Sequence, residues 1–201
     1  GTFERYAAAK RMLFEQTNRN KKGLRAGIIN ADDPSAKSFA GAIKNPLLYG
    51  MKKGDLKAKN VRLSSDGVAY DTSMGDKKYH ITCQLPGSFN VYNSLAAAGV
   101  GHAIGLSEKQ IEEGIAALES VEGRMVRVDE GQDFSVIVDY AHSPDSFEKL
   151  FKDIKPVVKG KLIVMFGSLG TGGDVPKRAA QGELAGKYAD MVIATEEDDR
   201  Q

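Results

Sequence analysis

Phe134-Ser-Val-Ile-Val-Asp-Tyr-Ala-His-Ser-Pro144 sets the architecture of this chain. The β-branched run over 134–138 predicts a strand, which stops at the polar corner Asp139-Tyr-Ala-His142. Ser143 then offers an N-cap, and Pro144 takes the first helical position, where a missing N–H costs nothing. Phe147, Leu150, Phe151 and Ile154 recur at helical spacing as the inward stripe. The pattern then repeats. Lys161-Leu-Ile-Val-Met-Phe166 reads as a continuous apolar strand, the kind a parallel sheet covers on both faces. Lys177–Tyr188 predicts a helix, and Met191-Val-Ile-Ala194 a further strand. Such a β-α-β-α-β run opens a doubly wound α/β domain.

Upstream the texture differs, and Val121-Glu-Gly-Arg124 marks the change. The expected domains are 1–122 and 123–201. Ala26–Ile29 predicts a short buried strand, closed by the turn signal Asn30-Ala-Asp-Asp-Pro34, with a helix over Ser35–Ile43. From Leu47 to Leu85 the pattern is β-like, clearest at Val61–Leu63, Gly67–Tyr70 and Tyr79–Cys83, and predicts an antiparallel meander. Asn90–Ile104 predicts a helix whose Ala96, Ala97, Ala98, Gly99 and Gly101 allow close backbone packing. Ser107 and Gln110 form a capping box for a helix with the stripe Ile111, Ile115 and Leu118.

Composition narrows the function classes. Lysine plus arginine number 28 and aspartate plus glutamate 27, so no field points to a nucleic acid or a membrane surface. Cys83 is the single cysteine, which rules out an internal disulfide and a cysteine-cluster metal site and fits a reducing compartment. No stretch has the length and apolarity of a membrane span or signal peptide. The chain lacks an initiator methionine and ends just past a strand, so it is expected to be a piece of a longer protein, inactive by itself.

Candidate functional residues fall in a few places. The first helix, Thr2–Phe14, has Phe3, Tyr6, Ala7, Leu13 and Phe14 on one face with Lys10 among them. Such an amine either snorkels to the edge or is desolvated and becomes reactive, for example toward a carbamate that would act as a carboxylate-like metal ligand. Ligands of doubly wound sheets bind beyond the carboxyl ends of the strands. There lie Asp139 and His142, the loop Gly167–Asp174 followed by Lys177 and Arg178, and Thr195–Arg200. The glycine loop lacks the Lys-Ser/Thr of a phosphate-binding P-loop and the spacing of a dinucleotide fingerprint. It is either a plain strand-to-helix turn or an anion cradle helped by Lys177. Asn90 and Asn93 stand three apart at a helix start, where one suffices for capping and the second could offer an amide to a base edge. His80, His102 and Cys83 read as structural.

Four segments carry a family resemblance: Gly1-Thr-Phe-Glu-Arg-Tyr-Ala-Ala-Ala-Lys-Arg11, Leu85-Pro-Gly-Ser-Phe-Asn-Val-Tyr-Asn-Ser-Leu-Ala-Ala97, Gly123-Arg-Met125 and Val138-Asp-Tyr-Ala-His-Ser-Pro-Asp145. Phe166-Gly-Ser168 through Lys177-Arg178 matches more loosely. In this order they resemble the Mur ligases, ATP-dependent enzymes that build the peptide of the bacterial cell-wall precursor, and most of all the MurE branch. The resemblance implies the latter part of a central ATPase domain with a small antiparallel sheet, then the first part of a Rossmann-like carboxy-terminal domain. The P-loop and UDP-sugar contacts would precede Gly1. It implies a cytoplasmic, monomeric enzyme that adds a third amino acid, diaminopimelate or lysine, to UDP-N-acetylmuramoyl-dipeptide.

The same resemblance assigns roles. Lys10 matches a carbamylated lysine that helps hold Mg²⁺. Asn90 and Asn93 match asparagines near the adenine, and Arg124 and Asp139 match residues at the ribose of ATP. His142 shares that motif, and Lys177 matches a group near the terminal phosphates. Arg178, Asp198 and Arg200 fall where the substrates are held, and Arg200 matches the arginine that holds diaminopimelate. This sequence departs from the pattern in its Gly-Thr-Gly-Gly-Asp174 loop, in Ala179 where proline is usual, and in Glu197-Asp-Asp-Arg200 where Asp-Asn-Pro-Arg marks diaminopimelate enzymes. Two further readings follow: an amide ligase with another acceptor, of folylpolyglutamate or cyanophycin type, and a non-catalytic nucleotide-binding module.

Overall fold

Short runs of small and branched residues at 26–30 and 45–50 pair in parallel in the computed structural model, which describes residues 2–64, 66–168 and 175–196. The chain divides into two units, Gly1–Ser120 and Val121–Gln201.

In the first unit, β1 (Ala26–Asn30), β2 (Asn45–Gly50) and β3 (Leu56–Lys57) form a parallel sheet in that order, with Ile28 opposite Leu47. The expected meander therefore begins later than Leu47. The partner of β2 lies across the crossover helix α2 (Ala36–Ala40), and local alternation does not encode such a pairing. The meander proper is β4 (Lys59–Ser64), β5 (Gly67–Met74) and β6 (Lys77–Cys83), all antiparallel. Its inner face buries Val68, Tyr70, Tyr79, Ile81 and Cys83. The outer edge, β4, carries a register shift between Lys59 and Arg62, with Asn60 at φ 53°.

Helix α3 (Phe89–Ala103) lies over this core with Val91, Leu95 and Ala98 fully buried. A Cβ on Gly99 would stand 3.0 Å from Ile28 Cγ2 and 3.3 Å from Leu47 Cδ2, the close packing its small residues predict. Helix α4 (Glu108–Ala116) opens with the predicted Ser107–Gln110 capping box. It covers the β6 edge: Glu112 accepts the His80 N–H at 2.7 Å, and the Ala116 carbonyl accepts Gln84 Nε2 at 2.6 Å. Leu118 lies past the helix end and is exposed. His80 also pairs with Asp71 at 2.7 Å, and His102 Nδ1 meets the Tyr79 hydroxyl at 2.7 Å, so both histidines have structural partners.

Helix α1 (Phe3–Thr17) corrects an expectation. Thr2 caps it and Phe14 stacks on Phe39 with ring centroids 5.2 Å apart, but no residue of the helix is buried. Phe3, Tyr6 and Leu13 are exposed, and so is Lys10. Periodicity identified the apolar face, but only its Phe14 end packs against described residues, beside Ile29, Ala36 and Ile43, and of the two readings of Lys10 the exposed one is what these residues display.

Burial pushes the Tyr70 phenol well above its usual pKa, against the Ser94 hydrogen bond and with a smaller push from Cys83. Its stabilising contribution is complete below the unfolded value of about 10 and is lost as pH rises beyond it. The urea midpoint of the chain should hold from neutrality to about pH 9 and fall above about pH 10. Tyr70→Phe should shrink that fall, and an equal fall in the variant would overturn the assignment.

In the second unit, β7 (Val126–Val128) pairs antiparallel with β8 (Val136–Val138), while β9 (Ile163–Phe166) pairs parallel with β10 (Met191–Ala194). Parallel pairing is thus confined to the later two of the three expected strands among the described residues. Helix α5 (Pro144–Ile154) begins at Ser143 and Pro144 as predicted, and α6 (Val175–Tyr188) precedes β10. Phe147 and Phe151 from α5 and Ala185 from α6 form the core with Val164, Phe166 and Tyr188. Phe147 meets Phe166 edge-on at 5.2 Å, and Phe151 stacks on Tyr188 at 5.4 Å. Ile163 and Met165 on the other face of β9 are exposed, so this strand is covered on one face and not on both. Among the described residues, no helix is long and apolar enough to cross a membrane.

Candidate functional site

At the carboxyl end of β8 the chain turns sharply, and one carboxylate holds the turn. Asp139 Oδ2 accepts the Met125 N–H at 2.9 Å, and Oδ1 accepts the Ala141 N–H at 2.8 Å. The Tyr140 N–H donates to the Gly123 carbonyl at 2.6 Å, which brings the Gly123-Arg-Met125 segment against the Asp139–His142 corner. Met125 sits at φ 51°, a left-handed conformation that a methionine rarely adopts unaided.

An exposed shelf results. The Arg124 guanidinium lies 5.7 Å from the Tyr140 ring centroid, and the Tyr140 and His142 rings are 5.0 Å apart. His142 Nδ1 lies 3.0 Å from the Tyr140 carbonyl, which can only accept, so Nδ1 donates. Each Asp139 oxygen accepts a backbone N–H and keeps lone-pair capacity for a hydroxyl. A cation, two flat rings and an ionisable acceptor suit a planar, hydroxyl-bearing ligand.

Helix α6 ties into the same corner. Gln181, almost fully buried, donates from Nε2 to the His142 carbonyl at 3.0 Å. Sequence reading missed this residue, because a glutamine on a helix gives no sign of which loop carbonyl it reaches. Lys177 and Arg178 lie half-buried near the start of α6. The glycine loop over 169–174, Asp198 and Arg200 lie outside the described residues.

The first unit holds the remaining candidates. Asn90 is buried, and its amide is used internally: Nδ2 donates to the Pro86 carbonyl at 2.7 Å, and Oδ1 accepts Asn93 Nδ2 at 2.9 Å. Asn93 is exposed. Neither caps the helix, since Ser88 holds the N-cap position. The two asparagines therefore differ, one shaping the loop and the other facing out. Lys10 Nζ lies 5.4 Å from the Tyr6 ring centroid. No group of three or more His, Cys, Asp or Glu among the described residues could hold a metal ion, so these residues do not by themselves make a Mg²⁺ site.

Comparison with known proteins identifies the family. Residues 1–101 match the Mur ligase middle domain, and residues 123–201 match the Mur ligase glutamate ligase domain. A UDP-N-acetylmuramyl-tripeptide synthetase of Roseiflexus sp. is 39% identical over 213 aligned residues, covering 100% of this chain and 41% of that protein. A UDP-N-acetylmuramoyl-L-alanyl-D-glutamate–2,6-diaminopimelate ligase of Halalkalibacterium halodurans is 36% identical, with 100% and 41% covered. The chain thus spans about two fifths of the length of these relatives. The crystal structure of MurF ligase from Thermotoga maritima in complex with ADP shares the fold, with a TM-score of 0.76 at 19% identity over 99% of this chain and 45% of that one. With a family model matched across half its length and a second across most of the rest, this chain belongs to the Mur ligases.

Proposed function

We propose that the protein carrying this chain is a MurE-type ligase. It would join a third, diamino acid to UDP-N-acetylmuramoyl-dipeptide in the cytoplasmic synthesis of the peptidoglycan precursor, as a monomer. The observation that carries the reading is identity of 36–39% along the whole chain with relatives bearing those activities in their names. Residues 1–122 would be the latter part of the ATP-binding domain, and 123–201 the first part of the domain that receives the amino acid.

The family is ATP-dependent, and the chemistry explains why. A carboxylate is a poor acyl donor. Transfer of the γ-phosphoryl group of ATP gives an acyl phosphate and ADP. The amine of the incoming amino acid then attacks the acyl carbon, the tetrahedral intermediate collapses, and inorganic phosphate leaves as the amide forms. In this reading Arg124 and Asp139, beside the Tyr140 and His142 rings, serve the ribose of ATP, and Asn93 in the first unit offers its amide to the adenine edge. Lys177 neutralises charge at the terminal phosphates, where electrostatics and positioning dominate the rate. Arg178, Asp198 and Arg200 serve the incoming substrates, and Arg200 favours diaminopimelate over lysine. Mg²⁺ belongs to the proposal as counter-charge for the phosphates, with a carbamylated Lys10 as one of its ligands.

The test is phosphate release from ATP by a polypeptide of the relatives' length carrying this sequence, given UDP-N-acetylmuramoyl-dipeptide and a panel of amino acids. Release is expected with diaminopimelate. Release with lysine alone would overturn the choice of acceptor, and no amino-acid-dependent release would overturn the ligase reading.

A further inference from the structure

We infer that Asp32 is a positioning residue: through the Tyr92 hydroxyl it sets the rotation of α3, so that Asn93 and not Asn90 presents its amide to the nucleotide. The inference rests on the nucleotide reading of Asn93 given above.

Asp32 stands just past the carboxyl end of β1. Its Oδ2 accepts the N–H groups of Met51 at 2.8 Å and Lys52 at 3.0 Å, and Oδ1 accepts that of Lys53 at 3.3 Å. The Tyr92 hydroxyl donates to the same Oδ2 at 3.0 Å. The end of β1, the β2–β3 connection and α3 thus meet at one carboxylate. Burial pushes this carboxyl up, but the N–H groups of Lys52 and Met51, the Tyr92 hydroxyl and the Lys53 N–H outweigh it and leave its pKa lowered. The acceptor is therefore ionised at neutral pH, and hydrogen bonds to a charged partner are the stronger kind.

Ser88 takes the N-cap position of α3. The helix is held laterally at two neighbouring positions. On one side Tyr92 reaches Asp32; on the other the buried Ser94 hydroxyl meets the Tyr70 hydroxyl at 2.9 Å. Successive helical residues are about 100° apart, so Tyr92 and Ser94 flank Asn93 on the two sides of the helix. Rolling α3 in either direction strains one of these bonds. Asn90, one turn earlier, is closed in by the Pro86 carbonyl and by Asn93 itself. What remains outward at this point of the helix is the Asn93 carbonyl oxygen and its second amide hydrogen.

Tyr92→Phe removes only the hydroxyl, and Asp32→Asn keeps the shape while weakening the acceptor. Both can be made in the 201-residue chain and in a polypeptide of the relatives' length. Two readouts apply: the side-chain amide resonances of Asn93 by NMR in the 201-residue chain, and titration of the longer polypeptide with ADP. Each variant should move the Asn93 amide pair and weaken ADP about three- to tenfold, the worth of one hydrogen bond. The double variant should be scarcely weaker than Asp32→Asn alone, because both residues act through one contact. Should Tyr92→Phe fail to fold, Asp32→Asn carries the comparison. Unmoved Asn93 resonances in both variants would overturn the inference and leave Asp32 as a tie for the 51–53 loop only. So would moved resonances with unchanged ADP affinity. If the unsubstituted polypeptide of the relatives' length ignores ADP while the Asn93 resonances still move, the nucleotide reading falls and the Asp32–Tyr92 control of Asn93 stands.

Discussion

Gly67→Ala is expected to destabilise the first unit by about 3 kcal/mol. Gly67 sits at φ +147°, where an L side chain is strained whatever the space around it. The space is also absent. A Cβ would stand 2.1 Å from the Cys83 carbonyl oxygen and 3.0 Å from Gln84 Cα, both backbone atoms that no rotamer change can move aside. Gly67 begins β5, and the next residue, Val68, pairs with Cys83. Relief therefore requires the β5–β6 ladder to slip or splay at its open end, away from the turn after Met74, which disturbs the core residues Val68 and Cys83. Urea unfolding followed by far-UV circular dichroism reads the effect. A loss below about 1 kcal/mol, the ordinary cost of a point substitution, would show that the ladder yields more easily than this packing allows.

Asp139→Ala should have the second largest effect, and it falls on the candidate site. The substitution removes the acceptor of two backbone N–H groups at once, those of Met125 and Ala141. Hydrogen bonds to a charged group contribute about 1.5–3 kcal/mol each, so the turn carrying Arg124 should detach from the Tyr140–His142 corner. Met125, no longer held at φ 51°, should relax toward an ordinary conformation. Asp139→Asn should rescue little, because its amide offers one acceptor and turns an NH₂ donor toward a second N–H. Both variants should weaken adenine-nucleotide binding at least about tenfold through loss of the shelf geometry. Hydrogen exchange checks the structural half: the Met125 and Ala141 amides should lose protection. Unchanged protection of both in Asp139→Ala would refute the account.

The legible parts of this molecule were the local ones. Ser143-Pro144 announced the start of α5, and Ser107 with Gln110 announced that of α4, because capping is settled within four residues. Small residues along 96–101 foretold the close approach of α3 to the sheet, since a missing side chain acts wherever its partner comes from. What escaped the sequence was non-local. The pairing of β2 with β1 depends on a crossover and not on alternation. The stripe of α1 showed an apolar face but not whether anything lies against it, and Lys10 is exposed for that reason. At the site, the Asp139–His142 corner was visible as a strand end, whereas the inward turn of Asn90 was not. Its direction is decided by a proline carbonyl four residues back that only the folded loop brings near. Asp32 read as part of a turn signal, and its role in gathering the 51–53 amides emerged only with the second strand in place.

The irregularity in β4 has a bearing on self-association. A straight outer strand displays evenly spaced amides and carbonyls that a stranger's chain can copy. Here the step between Lys59 and Arg62 and the left-handed Asn60 break that spacing, two cations guard the break, and α4 occupies the opposite margin. The small sheet thus offers a visiting strand no row of amides on which to dock.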